Sequence, residues 1–144
     1  MHVCAPAIER GIDIPLIHIA DATATAIEAA GVSNVALLGT RYTMEKDFYR
    51  SRLEARGLSV AIPPEPDRTL VHDVIYDELV QGVIRDRSRD EYLRIVDDLA
   101  EAGSNGVIAG CTEIELLVKP SDITIPYFPT TALHAAAIVN FALN

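Results

Sequence analysis

Two stretches of this sequence follow one pattern. AAGVSNVALLGTRYT (29–43) and EAGSNGVIAGCTEIE (101–115) each run from a helix-ending Ala-Gly through an Asn into an apolar segment, a glycine and a polar tip. The apolar residues fall on successive positions rather than alternate ones, as in a strand buried on both faces. Such strands need helices above and below them. Spaced by segments of helical length, they imply βαβ units, a parallel sheet and right-handed crossovers. Ligands of open parallel sheets gather beyond the carboxyl ends of the strands, so Gly39-Thr40 and Gly110-Cys111 fall on the functional edge.

The rest of the chain fits the same alternation. A first helix is expected over about 3–10. PLIHIA (15–20) reads as a short apolar strand, and DATATAIEAAG (21–31) as a helix with a C-capping glycine. Strands follow at 34–40 and 58–63. Between them a charged amphipathic helix spans 43–56, with Met44, Phe48 and Leu53 toward the core and Gly57 ending it. PPEPD is a turn that cannot continue a sheet. Helices at about 67–81 and 88–102 precede a strand at 106–110 and a helix beginning near Thr112. A short strand at 125–128 leads into a last helix from about Thr131. His18 reads as a satisfied core histidine of its strand, and His72 as helix surface.

Composition narrows the function classes. At 144 residues the chain is one domain's worth, and 49% apolar residues are enough for a real core. Twelve basic against 21 acidic residues give a net charge of −9, which argues against nucleic acid or an anionic membrane as partner. No apolar run approaches the ~20 residues of a membrane helix, and no signal-peptide pattern opens the chain. Two cysteines make no disulfide framework. The reading is a soluble cytoplasmic protein with reduced thiols.

The thiol in GVIAGCTEIELLV (106–118) admits two readings. Free cysteines are often small buried hydrophobes. A cysteine between a strand and a helix N-terminus can instead be stabilised as thiolate by unpaired N–H groups and the helix dipole, with its pKa below the free value of ~8.5. The same N–H groups, with the Thr112 hydroxyl, can hold a carboxylate. Cys4 and Cys111 have no partners at zinc-ligand spacing, so no metal is expected.

These residues carry a resemblance. GCTEIELLV resembles the second signature of the aspartate/glutamate racemases that work without pyridoxal phosphate. PLIHIADATATAIEAAG, VALLGTRYTMEKDFYRSRLEARG, IYDELVQG and TTALHAAA resemble the broad-specificity amino-acid racemase branch, in order along essentially the whole chain. The resemblance implies a flavodoxin-like α/β lobe, one of two similar lobes with the active site between them, and no cofactor. It also implies two thiols: one removes the α-proton from one face and the other returns a proton from the opposite face. Cys111 matches the second of them.

The first thiol is where the sequence departs. Relatives carry a Cys-x-Asn-Thr-Met-His stretch, and Met1-His2 matches its end, so the cysteine, Asn and Thr would lie before residue 1. Met1 then reads as an internal methionine, with most of the N-terminal lobe absent. Cys4 lies two residues beyond His2, in the register of a helix residue packed in the lobe, and not of the partner thiol. Of the candidate substrate contacts, Thr112 stands beside the thiol and Thr40 belongs to a Gly-Thr element at the other strand tip. Glu113 is a first-turn residue. Arg85, in GVIRDRSR, falls where some relatives hold the distal carboxylate of an acidic substrate. Thr130, Thr131 and His134 resemble an Asp-Thr-Thr…His segment, with Pro129 in place of the acid.

The expectation is one α/β domain over 1–144. Residues 15–118 form the main lobe, and 1–14 and 119–144 would pack with the missing lobe. The small ligand is an amino acid or carboxylate, and the chain is expected to form a homo-oligomer. Two other readings stand beside racemisation: a single-thiol relative such as a decarboxylase or cis–trans isomerase, and a non-catalytic remnant that binds carboxylates or only assembles.

Overall fold

The computed structural model describes residues 2–144, so the reading of Met1 lies outside the described residues. Four parallel strands, β1 (Asn34–Leu38), β2 (Ser59–Ala61), β3 (Gly106–Ala109) and β4 (Tyr127–Pro129), form one sheet in the order β2-β1-β3-β4. Among the described residues eight α-helices surround it: α1 (Ala5–Gly11), α2 (Ile19–Ala29), α3 (Arg41–Glu45), α4 (Asp47–Glu54), α5 (Asp67–Asp77), α6 (Asp86–Glu101), α7 (Ile114–Leu117) and α8 (Thr130–Leu143). This is a flavodoxin-like three-layer α/β lobe.

The two central strands show why they are apolar at every position. Alternate side chains of a strand point to opposite faces. Ala36, Leu38, Val107 and Ala109 enter a core built with α5, α6 and α7, which includes Ile75, Tyr92, Ile95 and Leu117. Val35, Leu37 and Ile108 enter the other core, with Ala24, Ile27, Tyr49 and Leu53 of α2 and α4. Both faces of the sheet are therefore covered.

Several elements differ from the sequence reading. Residues 15–18 form no strand; the run ends at His18, whose Nδ1 accepts the Ala20 N–H at 3.1 Å and so caps α2. His18 is buried, as expected. The helix expected over 43–56 is two helices, broken where Lys46 is extended. The break has a physical reason. Met44 belongs to the α5–α6 core, whereas Tyr49 and Leu53 belong to the α2 core. The chain crosses the sheet's edge here, and one straight helix could not bury residues on both sides of it. The helix expected near Thr112 begins at Ile114 and has four residues, because Val118 is extended and Pro120 follows. Cys4 ends a short 3-10 turn ahead of α1 and is exposed, not packed in the lobe. No helix among the described residues is long and apolar enough to cross a membrane.

Candidate active site

The tips of β1 and β3 meet at the carboxyl edge. The Gly110 N–H donates to the Leu38 carbonyl at 2.7 Å. A Cβ on Gly110 would lie 2.8 Å from that carbonyl oxygen and 3.2 Å from Thr43 Cγ2; one on Gly39 would lie 3.0 Å from Thr43 Cβ. Only glycine lets the two tips and the first turn of α3 approach this closely. Thr40 caps that turn: its Oγ1 accepts the Thr43 N–H at 3.4 Å and lies 3.3 Å from Thr43 Oγ1. Thr43, not singled out from the sequence, is thus the side chain seated against both glycines. His72 is half-buried rather than on the open helix surface, and its Nδ1 accepts the Arg41 N–H at 3.2 Å.

Cys111 is half-buried in the turn between β3 and α7. Its thiol donates to Glu113 Oε2 at 2.8 Å, and the Thr112 hydroxyl donates to the same oxygen at 2.7 Å. Burial, and after it the hydrogen bond and charge of Glu113, push the thiol up to about 12; the backbone N–H groups of Glu113 and Thr112 oppose this. The expectation of a lowered thiol is corrected. A helix that begins three residues later leaves the carboxylate, not the dipole, as the nearest charge. Glu113 is held below the usual carboxylate range, first by the Cys111 thiol and then by the Thr112 hydroxyl. Glu113 is therefore the thiol's own partner and not only a first-turn residue, a contact that Cys-x-Glu spacing alone did not reveal.

β4 brings a third tip alongside, with Pro129 in register with Ala109. The buried Thr130 hydroxyl donates to the Ala109 carbonyl at 2.7 Å. The Thr131 N–H, in the first turn of α8, donates to Glu115 Oε1 at 3.1 Å. The Glu115 carboxylate of α7 thus already satisfies that N–H.

Two expected contacts are held elsewhere. Arg85 pairs with Glu78 at 3.1 Å, and Glu78 also accepts from Ser88 Oγ at 2.6 Å. These groups line a cavity of about 220 Å³ at the start of α6, and no hydrogen bond or ion pair found for Arg85 reaches the Cys111 turn. His134 Nε2 lies 2.8 Å from the Ile17 carbonyl and lines an apolar cavity of about 120 Å³ with Ala5, Ile8 and His18. The turn His2–Cys4 packs against α4, which covers the α2 face of the sheet, whereas Cys111 packs into the opposite core. Among the described residues, no group of three or more His, Cys, Asp or Glu is placed to hold a metal ion.

Comparison with known proteins agrees with this architecture. The family model described as Asp/Glu/Hydantoin racemase matches residues 1–138. The crystal structure of a provisionally assigned Asp/Glu racemase from Yersinia pestis superposes with a TM-score of 0.96 at 49% identity, covering 100% of this chain and 63% of that one. An aspartate racemase homologue from Pyrococcus horikoshii OT3 superposes with a TM-score of 0.91 at 32% identity, covering 99% and 63%. A glutamate racemase of Hydrogenobaculum is 24% identical over 139 residues, which are 96% of this chain and 51% of that protein. The chain thus spans between half and two thirds of the length of these relatives.

Proposed function

The chain belongs to the Asp/Glu/hydantoin racemase family, and we propose that it is the Cys111-bearing lobe of a cofactor-independent amino-acid racemase acting on aspartate, glutamate or another polar amino acid. The observation that carries the reading is the Cys111–Glu113 pair on the edge where the tips of β1, β3 and β4 converge. The pair holds one labile proton. At neutral pH it rests on sulfur, so Cys111 is ready to donate to an α-carbanion on the face it meets. In the opposite direction Cys111 must act as thiolate, a state that burial and the Glu113 charge oppose. The backbone N–H groups that favour the thiolate then hold the sulfur as a base toward the substrate's α-proton. Thr40 offers a hydroxyl for the substrate carboxylate, and that of Thr112 would have to turn from Glu113 to join it, because the developing negative charge must be met by donors.

Inversion needs a second acid/base on the other face of the carbon. The proposed source is the additional lobe that the longer relatives possess, docked over α1 and α8. In support, the ends of the chain leave large apolar side chains uncovered: Ile14 is 72% exposed, and Ile138, Phe141 and Leu143 are 44%, 57% and 80% exposed. The 14 residues of α8 contain no Lys, Arg, Asp or Glu. A helix apolar on all sides is ordinarily buried. On its own, the 144-residue chain would cover this surface with a second copy of itself.

The test is α-deuterium uptake in heavy water across a panel of amino acids, with chirality followed in parallel. Uptake that requires Cys111 and falls in Glu113→Gln supports the reading. Uptake unchanged in Cys111→Ala refutes it. Loss of carbon dioxide from the substrate would favour the decarboxylase alternative instead.

A further inference from the structure

We propose that His72 is the positioning residue of this site: its unprotonated Nδ1 accepts the Arg41 N–H and seats the first turn of α3 against the glycine that precedes Cys111. The inference rests on the site reading above, but its test reads a backbone amide and can fail independently.

The Arg41 N–H is the first N–H of α3, one of the donors that a helix cannot satisfy internally. It donates to His72 Nδ1, 31 residues along the chain on α5, at 3.2 Å. The next links are short. Thr43, in the same turn, places Cγ2 3.2 Å from the Cβ position of Gly110 and Cβ 3.0 Å from that of Gly39. A shift of α3 therefore shifts the wall behind Cys111. Thr40's own side-chain cap is longer, at 3.4 Å, and the Arg41 guanidinium adds ties to Glu65 at 2.9 Å and to Thr69 on α5, so the histidine is the tether that acts on the backbone of this turn.

An imidazolium carries protons on both nitrogens and can accept no hydrogen bond. Protonating His72 would set one N–H against another and break this hydrogen bond, leaving the turn to its remaining ties through the Arg41 side chain. The groups around the ring do not undo that loss. Arg41 and Arg68 are both bridged by Glu45 and Glu65, at 2.9 to 3.6 Å, which leaves this cluster nearly neutral. Lys46 lines the same cavity of about 310 Å³ and adds positive charge, and the Tyr76 ring lies 4.8 Å from the imidazole. Histidine as a residue type changes charge between about pH 5 and about pH 8, which makes pH the variable that tests the tether.

The experiment compares amide hydrogen exchange in the wild-type chain, His72→Asn and His72→Gln at about pH 8 and about pH 5, with rates corrected for intrinsic exchange. The Asn carbonyl falls close to the Nδ1 position without titrating, whereas the Gln carbonyl reaches past it. In the wild type the protection of Arg41 should fall roughly 2- to 12-fold at the lower pH, the span of one net hydrogen bond. His72→Asn should hold its protection at both pH values, and His72→Gln should lack it at both. Alkylation of Cys111 at fixed pH should follow the same order, with His72→Asn near the wild type and His72→Gln altered. The Gly110 amide, bonded within the core, serves as control and should keep its protection throughout. A wild-type Arg41 amide insensitive to pH, a His72→Gln amide as protected as the wild type, or a loss at Gly110 that parallels Arg41 in every sample would overturn the proposal.

Discussion

Glu113 Oε2 accepts the hydrogen bond of the Cys111 thiol at 2.8 Å from two residues along the same turn. The carboxylate raises the thiol while the thiol lowers the carboxylate, so the single proton between them stays on sulfur over the neutral range. A second donor on the same oxygen, the Thr112 hydroxyl, reinforces the anionic state of Glu113.

Glu113→Gln removes the charge and the carboxylate acceptor but leaves the burial, which is the largest cause of the raised thiol. The alkylation midpoint of Cys111 should move down from about 12 while staying above the ordinary thiol range. At any pH below the midpoint, each unit of that movement should speed alkylation about tenfold, since the thiolate is the reacting form. Rates of iodoacetamide reaction against pH decide the matter, and a profile identical to the wild type would show that Glu113 does not govern the thiol.

Stability should decline in alkali. Cys111 and Tyr49 are both pushed up to about 12, the tyrosine from 10.0 chiefly by burial, and Tyr92 and Tyr127 are raised for the same first reason. A group whose pKa is raised in the fold binds its proton more tightly there than when unfolded. Its stabilisation is complete below the unfolded value and is lost as pH rises through the folded one. For Cys111 and Tyr49 the window therefore opens near the ordinary thiol and phenol values and closes near about 12, and Tyr92 and Tyr127 extend it toward higher pH. Urea midpoints measured through this range should fall, and less steeply in a Cys111→Ala, Tyr49→Phe double variant.

Gly110→Ala tests the close approach of the two strand tips. The new Cβ would meet a backbone oxygen, Leu38 O, at 2.8 Å, and a backbone atom cannot swing aside as the end of a side chain can. The expected loss is about 1–3 kcal/mol in urea denaturation, together with altered Cys111 reactivity. Gly11→Ala, where a Cβ meets nothing within 4 Å, is the control and should stay within about 0.5 kcal/mol of the wild type.

Much of this lobe is legible in the sequence because its central strands are buried on both faces. VALL and VIA declare themselves by lacking polar residues, and the glycines after them mark the edge where Cys111 lies. What the sequence hides is the side-chain pairing across elements. Arg85 looks available beside Arg87 and Arg89, yet Glu78 on the preceding segment holds it. His72 looks like helix surface, yet it meets Arg41. The break at Lys46 is equally silent, because nothing local says that Met44 and Tyr49 belong to opposite cores. The strand expected at 15–20 follows from apolar content alone, which cannot tell a sheet strand from a segment laid against α8, as His134 Nε2 beside Ile17 O shows.

The uncovered apolar ends should make the isolated chain self-associate. Large exposed apolar patches are uncommon on monomers, and a standard interface buries on the order of 800 Å² per partner. Ile138, Val139, Phe141 and Leu143, with Ile8, Ile12 and Ile14 toward the other end of the chain, are the side chains available for it. Sedimentation velocity at high micromolar concentration should show a dimer or larger species, and Phe141→Glu should shift it toward monomer. A wild-type chain that stays monomeric would remove the reason to expect a second copy over α8.

The 144-residue chain by itself should racemise aspartate and glutamate very poorly. On the proposed reading Cys111 would reach the α-carbon from one face only, and proton return on the other face would be left to water. A positioned acid or base is typically worth 10²–10⁴-fold, and closure by further protein would add alignment and water exclusion. When such elements act as a unit, their joint loss is steeper than any single one suggests. Uptake of deuterium with retention of configuration is a gentler demand, because one thiol can remove and return a proton on the same side. The expected result is slow exchange that outpaces racemisation, both abolished in Cys111→Ala. Racemisation at ~1 s⁻¹ or faster, within the ordinary range for enzymes, would mean that a second acid or base is already present within residues 1–144 or comes from another copy across the α1–α8 surface.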